Sequence, residues 1–394
     1  MGAKIPGEAT VRNSETMVRM LLVEGPLPRS SIAQRLGLSI PTVMDLVTTL
    51  RSFGVVTVGV ATYRRGRPAP PIHVAADAWY SVGADIGGTK VAVGLFNSHL
   101  ELVEDERWAT PRDWAQLLDR LTDSVERLTR RAGCRPLGVG VGVPSVVERG
   151  VLVDAPNLGV RDIPVLEALR QRWPHPTVVE NDVNLAALAE YDAALRRHEP
   201  VRSLVFCALG TGIGCGIVLN GKLWSGARGA AGEVAYLLPS LDMAQSTPPA
   251  NGCLEAIASA SALGGHWAGG EDPARLLRRA EDGDERALEA FRRWGTAVGH
   301  AALAVVAVLN PEVLLVGGAG SRSARFLFPV LEDILRRHAP DPPPVRAPVY
   351  GELAALYGAG LVGGRQALDT AVRRAVAAAR REGRNRVRES AVRP

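Results

Sequence analysis

Hydrophobic residues alternate or run together at 82–95 and again at 204–219, and in both places a glycine-rich turn interrupts them. Val82, Val91, Val93 and Leu95 predict two short strands flanking Asp85-Ile86-Gly87-Gly88-Thr89-Lys90. Paired glycines bring backbone N–H groups close enough to an anion to cradle phosphate, and Asp85 is placed to orient a hydrated metal ion beside it. A plain β-hairpin also accommodates Gly-Gly, so this turn alone leaves both readings open. The second unit repeats the plan: strand, Gly210-Thr211-Gly212, strand, then an Asn220-Gly221 hairpin turn. Two such units about 120 residues apart predict a duplicated core that clamps one phosphate chain from both sides.

Upstream, the 3.6-residue period predicts three helices. Residues 13–24 gather Met17, Met20, Leu21 and Leu22, residues 29–36 form a second helix, and Ser39 caps a third over 40–53, stopped by Gly54. Helix, glycine-containing turn and helix is the helix-turn-helix arrangement. An alternating stretch at 55–61, a basic tip with Arg64, Arg65 and Arg67, and a return at 71–74 predict a wing. The start of a recognition helix meets base edges, which nominates Ser39, Ile40, Pro41, Thr42 and Asp45, while the three wing arginines suit phosphate or minor-groove contact.

Downstream of the first turn, helices are predicted at 114–132, 184–195, 273–279, 285–308 and 353–361, and strands at 137–143, 177–182 and 312–320. Side chains at the end of 177–182, where a helix opens, line the ligand crevice of α/β folds. Beyond Ala371 the Arg/Ala-rich segment reads as a solvated or frayed basic tail. The predicted organisation is a head at 1–74, a first lobe at 75–183 with 351–370 returning to it, a second lobe at 184–350, and a tail at 371–394.

Charge sharpens this picture. Residues 1–74 carry nine Lys/Arg against four Asp/Glu and residues 370–394 eight Arg against two Glu, while the stretch between is net −6. A basic head on an acidic body predicts a polyanionic partner at the head, double-stranded DNA above all. The 46% hydrophobic content supports cores of ordinary size, and no apolar run approaches membrane-span length. Cys134, Cys207, Cys215 and Cys253 are scattered without a CxxC pair, which predicts free thiols and a cytoplasmic setting.

DIGGTK, GVGVP, PNL at 156–158, END at 180–182, LGTGIG and GCLE at 252–255 occur in one order that resembles the ROK family of repressors and sugar kinases. The resemblance spans roughly 79–366 and implies a two-lobed actin-like ATPase (ribonuclease H-like) α/β body behind the winged head. It implies sugar contacts from Asn157, Asn181, Asp182, Glu233 and Glu255, and possible nucleotide-phosphate contacts from Asp85, Gly87, Gly88, Thr89, Lys90, Gly210, Thr211 and Gly212. In a kinase of this family Asp182 is the catalytic base.

Four positions depart from the family pattern in ways that bear on function. The family commonly has glycine where Ser145 stands. Its structural zinc is held by a histidine and three cysteines, whose positions here are Tyr236, Ser246, Pro248 and Cys253. Tetrahedral zinc needs four donors, so no structural zinc is expected and no metal ligand is assigned. With the resemblance, the sequence predicts a transcriptional regulator, a repressor of carbohydrate-related genes, that answers a small sugar or sugar phosphate, forms a homodimer or higher homo-oligomer and needs no cofactor. The alternatives are an Mg-ATP-dependent sugar kinase with an accessory head, or a ligand-free body that only dimerises.

Overall fold

The computed structural model describes residues 7–60, 70–199, 201–240, 243–244 and 252–392. The predicted wing tip with Arg64, Arg65 and Arg67 lies outside them, as do positions 246 and 248.

The head contains α1 (Glu8–Glu24), α2 (Arg29–Leu36), α3 (Ile40–Ser52), β1 (Val56–Val58) and β2 (Ile72–Val74). Helix α1 begins five residues earlier than its apolar period indicates, with Gly7 as N-cap and Glu8 in the first turn, where a carboxylate suits the helix dipole. Ser39 caps α3 as expected, its hydroxyl accepting from the Thr42 amide at 3.2 Å. Gly37 takes the left-handed conformation (φ 63°) that lets the chain reverse between α2 and α3. Strands β1 and β2 pair antiparallel, shorter than the alternation suggested.

The body holds two five-stranded sheets of identical topology. The first uses β3 (Tyr80–Ile86), β4 (Lys90–Asn97), β5 (Leu102–Ala109), β6 (Pro136–Val143) and, after the small sheet β7 (Val147–Glu148), β8 (Val151–Ala155) and β9 (Val160–Ile163), β10 (Thr177–Asn181). Its order is β10-β6-β3-β4-β5. The second uses β11 (Ser203–Leu209), β12 (Ile213–Leu219), β13 (Lys222–Leu223), β14 (Val313–Gly318) and β15 (Val345–Arg346), ordered β13-β12-β11-β14-β15. In each, the first strand is central, a hairpin lies to one side, and parallel strands lie to the other. The duplication expected from the two glycine turns is therefore a duplication of whole sheets. Strand β5 and the small sheet went unrecognised in the sequence, because alternating Glu, Asp and Arg on β5 hide its strand character.

The last helix, Ala354–Val392, is one continuous element. It lies directly on β3 and β6, and the glycines explain why. A Cβ at Gly140 would fall 2.0 Å from the Ala359 carbonyl, one at Gly138 2.1 Å from the Gly363 carbonyl, and one at Gly83 2.5 Å from the Gly360 amide. Sheet and helix thus meet backbone to backbone, which side chains at these positions would forbid.

The predicted basic tail needs correction here. Ala371, Val372, Ala375 and Val376 are buried, and with Ala367 and Leu368 they join Met17, Ile32, Val43, Leu50 and Trp79 in the core of the head. Each such large aliphatic contributes about 1.5–3 kcal/mol on burial, so this part of the helix is a fourth wall of the head rather than a solvated end. Two ion pairs flank the contact, Arg19–Asp369 at 2.6 Å and Arg373–Glu15 at 3.6 Å.

Helix α4 (Trp114–Arg131), capped by Asp113, covers one face of the first sheet, and α5 (Val165–Arg170) packs beside it in the same core. Helix α6 (Asp182–Arg196) runs between the lobes and packs against β11, β12 and the last helix. Its buried Glu190 accepts from the Val349 amide at 2.7 Å and the Tyr350 amide at 2.8 Å, fastening α6 to the segment that leads into the last helix. Helices Pro273–Glu281, Glu285–Leu309 and Ala324–His338 complete the second lobe.

Candidate functional site

The interlobe crevice is built from the ends of strands. At its base is Asp85, near the end of β3, and beside it Asp182, the first residue of α6. Burial and the nearby Asp85 charge push the Asp182 carboxyl up to about 8, and burial raises Asp85 to about 6 against the pull of Lys90. Glu233 adds to the negative field at Asp182, and Glu255 adds to that at Glu233. Four carboxylates therefore face one crevice, all of them predicted from sequence.

Each is positioned by local backbone. Asn181 is the N-cap of α6: its Oδ1 accepts from the Val183 and Asn184 amides at 2.9 and 3.0 Å, and its Nδ2 donates to the Ser145 carbonyl at 3.2 Å. Asn181 is thus the cap, and Asp182 follows as the first helical residue, its Oδ1 accepting from the Val183 amide at 2.9 Å. The Asn181 side chain thus ties the start of α6 to the segment after β6, with one of its two Nδ2 hydrogens engaged.

Glu233 follows Gly232, whose φ is 89° and whose imagined Cβ would sit 1.8 Å from the Cys215 carbonyl. Only glycine lets this loop press against β12, where the Cys215 amide donates to the Gly232 carbonyl at 2.9 Å. Glu255 reaches back to the second glycine turn and accepts from the Ile213 amide at 3.2 Å. A Cβ at Gly212 would meet that carboxylate at 2.4 Å, so a side chain there would push Glu255 from its present seat.

The first glycine turn is fastened by Gly87 N–H to the Lys90 carbonyl at 2.9 Å and by Thr110 Oγ1 to the Gly87 carbonyl at 2.6 Å. Gly88 abuts Asn157, with only 3.0 Å between an imagined Cβ and that of Asn157, so the PNL segment and the turn form one wall. Gly88, Thr89 and Lys90 are exposed, as are Gly210 and Thr211 of the opposite turn. Lys90 makes a loose pair with Glu352 at 3.8 Å, and Glu352 also pairs with Arg322.

The departures from the family pattern have visible outcomes. The Ser145 hydroxyl donates to the Asp154 carbonyl at 2.7 Å and accepts from the Asp154 amide at 3.2 Å, so it turns into the wall and not the crevice. Tyr236 is 62% exposed, and its hydroxyl is pushed up by partial burial and by the charges of Glu233, Asp154 and Glu255. Cys253 is a buried free thiol. Tyrosine, serine, proline and a single cysteine do not make the donor set of a structural zinc site. Among the described residues no cluster of three or more His, Cys, Asp or Glu is compact enough to hold a metal ion.

On the head, α3 presents an exposed stripe of Ile40, Pro41, Met44, Asp45 and Thr48. Thr42 is partly withdrawn, its hydroxyl 2.8 Å from that of Ser39. Sequence reasoning did not nominate Met44, Thr48, Arg29 or, in the last turn of α3, Arg51. These line a groove of about 380 Å³ between α2, α3 and β1, in which Arg29 Nη1 contacts the Met44 sulfur at 2.9 Å. The i, i+4, i+8 spacing of Ile40, Met44 and Thr48 was the available signal. No helix among the described residues is long and apolar enough to cross a membrane.

Comparison with known proteins agrees with this geometry. The family model described as "ROK family" matches residues 81–363. The xylose repressor of Caldicellulosiruptor bescii is 26% identical over 352 residues, 83% of this chain and 88% of that protein. The glucokinase of Halalkalibacterium halodurans is 27% identical over 294 residues, 67% of this chain and 87% of its own. Among solved structures, a ROK family transcriptional regulator homologous to the MLC protein of E. coli superposes with a TM-score of 0.78, covering 94% of this chain and 99% of that one at 21% identity. The ROK glucokinase of Streptomyces griseus in complex with glucose and AMPPNP has a TM-score of 0.62 and 26% identity, covering 72% of this chain and 99% of its own. With its duplicated sheets, its motifs in one order and a family match over most of its length, this chain belongs to the ROK family.

Proposed function

We propose that the protein is a carbohydrate-responsive, DNA-binding transcriptional repressor that acts as a symmetric homodimer on palindromic operators. The observation that carries this reading is the last helix, one end of which lies on the first sheet while the other completes the core of the head. A change in the lobes therefore has a direct path to the DNA-binding surface. Likeness to the xylose repressor over 83% of the chain supports the same reading. So does the exposed α3 stripe, whose start suits the major groove.

The effector would lie between the lobes. Asp182, Glu233 and Glu255 offer acceptors to sugar hydroxyls, and Asn157 stands beside them on the opposite wall. A sugar changes operator affinity only by binding one lobe arrangement better than the other. Selection of bound fragments from random DNA, followed by anisotropy titrations with and without xylose, glucose and N-acetylmannosamine, tests the proposal. A palindromic site whose affinity shifts with one sugar supports it, whereas no sequence preference in any condition removes it.

One observation favours a second reading, a sugar kinase. Asp182 is held near pKa 8, close to working pH, and feels the charge of Asp85, whose strand leads into the first glycine turn. A buried carboxylate so poised suits a base that accepts a sugar hydroxyl proton. Mg-ATP would supply the phosphoryl group, Asp85 would face the metal's water shell, and Gly87, Gly88, Gly210 and Gly212 would let the turns approach phosphate. ADP formation from Mg-ATP with the same three sugars decides between the readings.

A further inference from the structure

A second cavity, of about 270 Å³, lies away from the interlobe crevice, where the head meets the body. Its wall takes Arg19 from α1, Trp79 from the segment entering β3, Asp192 and Arg196 from α6, and Leu361 and Arg365 from the last helix. Three arginines thus surround one carboxylate.

The polar groups of this wall are committed, with one exception. Arg19 pairs with Asp369 at 2.6 Å. Arg196 donates to Asp192 at 2.5 Å and to the His99 carbonyl at 3.2 Å. The Ser81 hydroxyl donates to the Gly360 carbonyl at 3.1 Å, and the Asn97 amide to Glu101 at 2.7 Å. Arg365 has neither a hydrogen bond nor an ion pair among the described residues; burial lowers its pKa most, the nearby Asp192 charge offsets part of this, and the Arg19 charge lowers it further. A guanidinium stays charged at any physiological pH, and a charge withdrawn from water without a partner is costly.

We infer that this cavity is a second ligand site, which binds a small organic anion with its carboxylate or phosphate on Arg365 and its carbon skeleton against Trp79 and Leu361. The planar guanidinium fork matches either group in bidentate fashion. The volume lies just under the range of about 300–1,000 Å³ usual for ligand pockets, which restricts the occupant to a metabolite of a few carbons. With Arg19 answered by Asp369 and Arg196 by Asp192, an anion neutralises the positive charge left on Arg365. Because α1 and the last helix both contribute wall, the occupant favours one seating of the head on the body. It is therefore a regulatory input separate from the sugar crevice.

Isothermal titration calorimetry on the full-length protein in phosphate-free buffer tests the inference, with inorganic phosphate, pyruvate and phosphoenolpyruvate as probes. Wild type, Arg365→Gln, Arg365→Lys and Glu233→Ala are compared after a folding check by circular dichroism. At least one probe should bind saturably to wild type and equally to Glu233→Ala. Arg365→Gln should weaken it about tenfold or more, a change of roughly 1.4 kcal/mol, and Arg365→Lys should fall between. Equal affinity in the Gln and wild-type proteins overturns the site, as does the absence of saturable binding by all three probes. Loss of binding in Glu233→Ala would move the anion to the interlobe crevice and equally overturn it. Should Arg365→Gln not fold, Arg365→Lys alone decides: unchanged affinity counts against the site.

Discussion

Arg19 in the first helix and Asp369 in the last form an ion pair at 2.6 Å between residues 350 positions apart. The pair marks the seam between head and body but does not hold it. Its side chains are 44% and 35% exposed, and such pairs contribute about 0–1 kcal/mol. The seam is held by the apolar face beneath, where Val372 is fully buried. Asp369→Ala should therefore change thermal stability by no more than about 1 kcal/mol. Val372→Asp should release the head: limited proteolysis would cleave between head and body, operator binding would be lost, and sugar binding would persist. A Val372→Asp protein that still binds operator at wild-type affinity would show that the last helix is dispensable to the head.

The carboxylate pair at the base of the crevice gives a pH signature. Asp182 is raised from 3.8 to about 8 in the folded protein, chiefly by burial. The folded state then holds a proton that the unfolded chain has released, so the protonated carboxyl's contribution is fully present below pH 3.8 and is lost as pH rises through about 8. Asp182→Asn should remove that slope. Melting curves from acid to alkaline pH should show its advantage over wild type growing through this window and levelling off above it. Parallel curves would place the Asp182 titration elsewhere.

Gly232 and Glu233 form one unit. Alanine at 232 must adopt a φ near 89° and meet the Cys215 carbonyl. Strain of this kind costs on the order of 1–3 kcal/mol, unless the loop lifts away and takes Glu233 with it. Gly232→Ala and Glu233→Ala should thus lose sugar response alike, with operator affinity unchanged in both. A normal sugar response in Glu233→Ala would place the effector elsewhere.

On the head, Arg51 and Asp45 should behave differently. Arg51→Ala removes a phosphate-seeking charge beside α3, so affinity should fall for all sequences and the salt slope should drop by about one. Asp45→Ala should instead relax preference at one base position, as read by competition among operator variants. A uniform loss for Asp45→Ala would remove it from base recognition.

The crevice carboxylates were legible because the motifs hold them at fixed places in glycine turns and strand ends, where local geometry leaves few choices. Asp182 lies within electrostatic reach of Asp85 and Glu233, and Glu233 within that of Glu255. What stayed hidden depended on partners far along the chain. Nothing local tells Ala371, Val372 and Ala375 from a helical tail studded with arginine, since their partners are Met17 and Ile32 at the other end of the sequence. Asn181 resembled a sugar donor, and only the backbone geometry at the start of α6 shows its amide engaged at both ends. Ser145 stands where the family has glycine, and only the fold shows that its hydroxyl turns toward Asp154.

The glycine-lined contact between the last helix and the first sheet bears on motion. Where backbone rests on backbone there are no rotamers to give way, and the helix must follow any rotation of the sheet. At about 1.5 Å per residue, the run from Gly360 to Val376 is an arm of roughly 24 Å. A lobe rotation of about 5° at the glycine contact would then carry the head end through some 2 Å. In the symmetric pair proposed above, opposite movement would double that displacement and change the separation of the two α3 helices. The missing side chains of Gly138, Gly140 and Gly83 make the last helix a stiff lever with its fulcrum on the sheet.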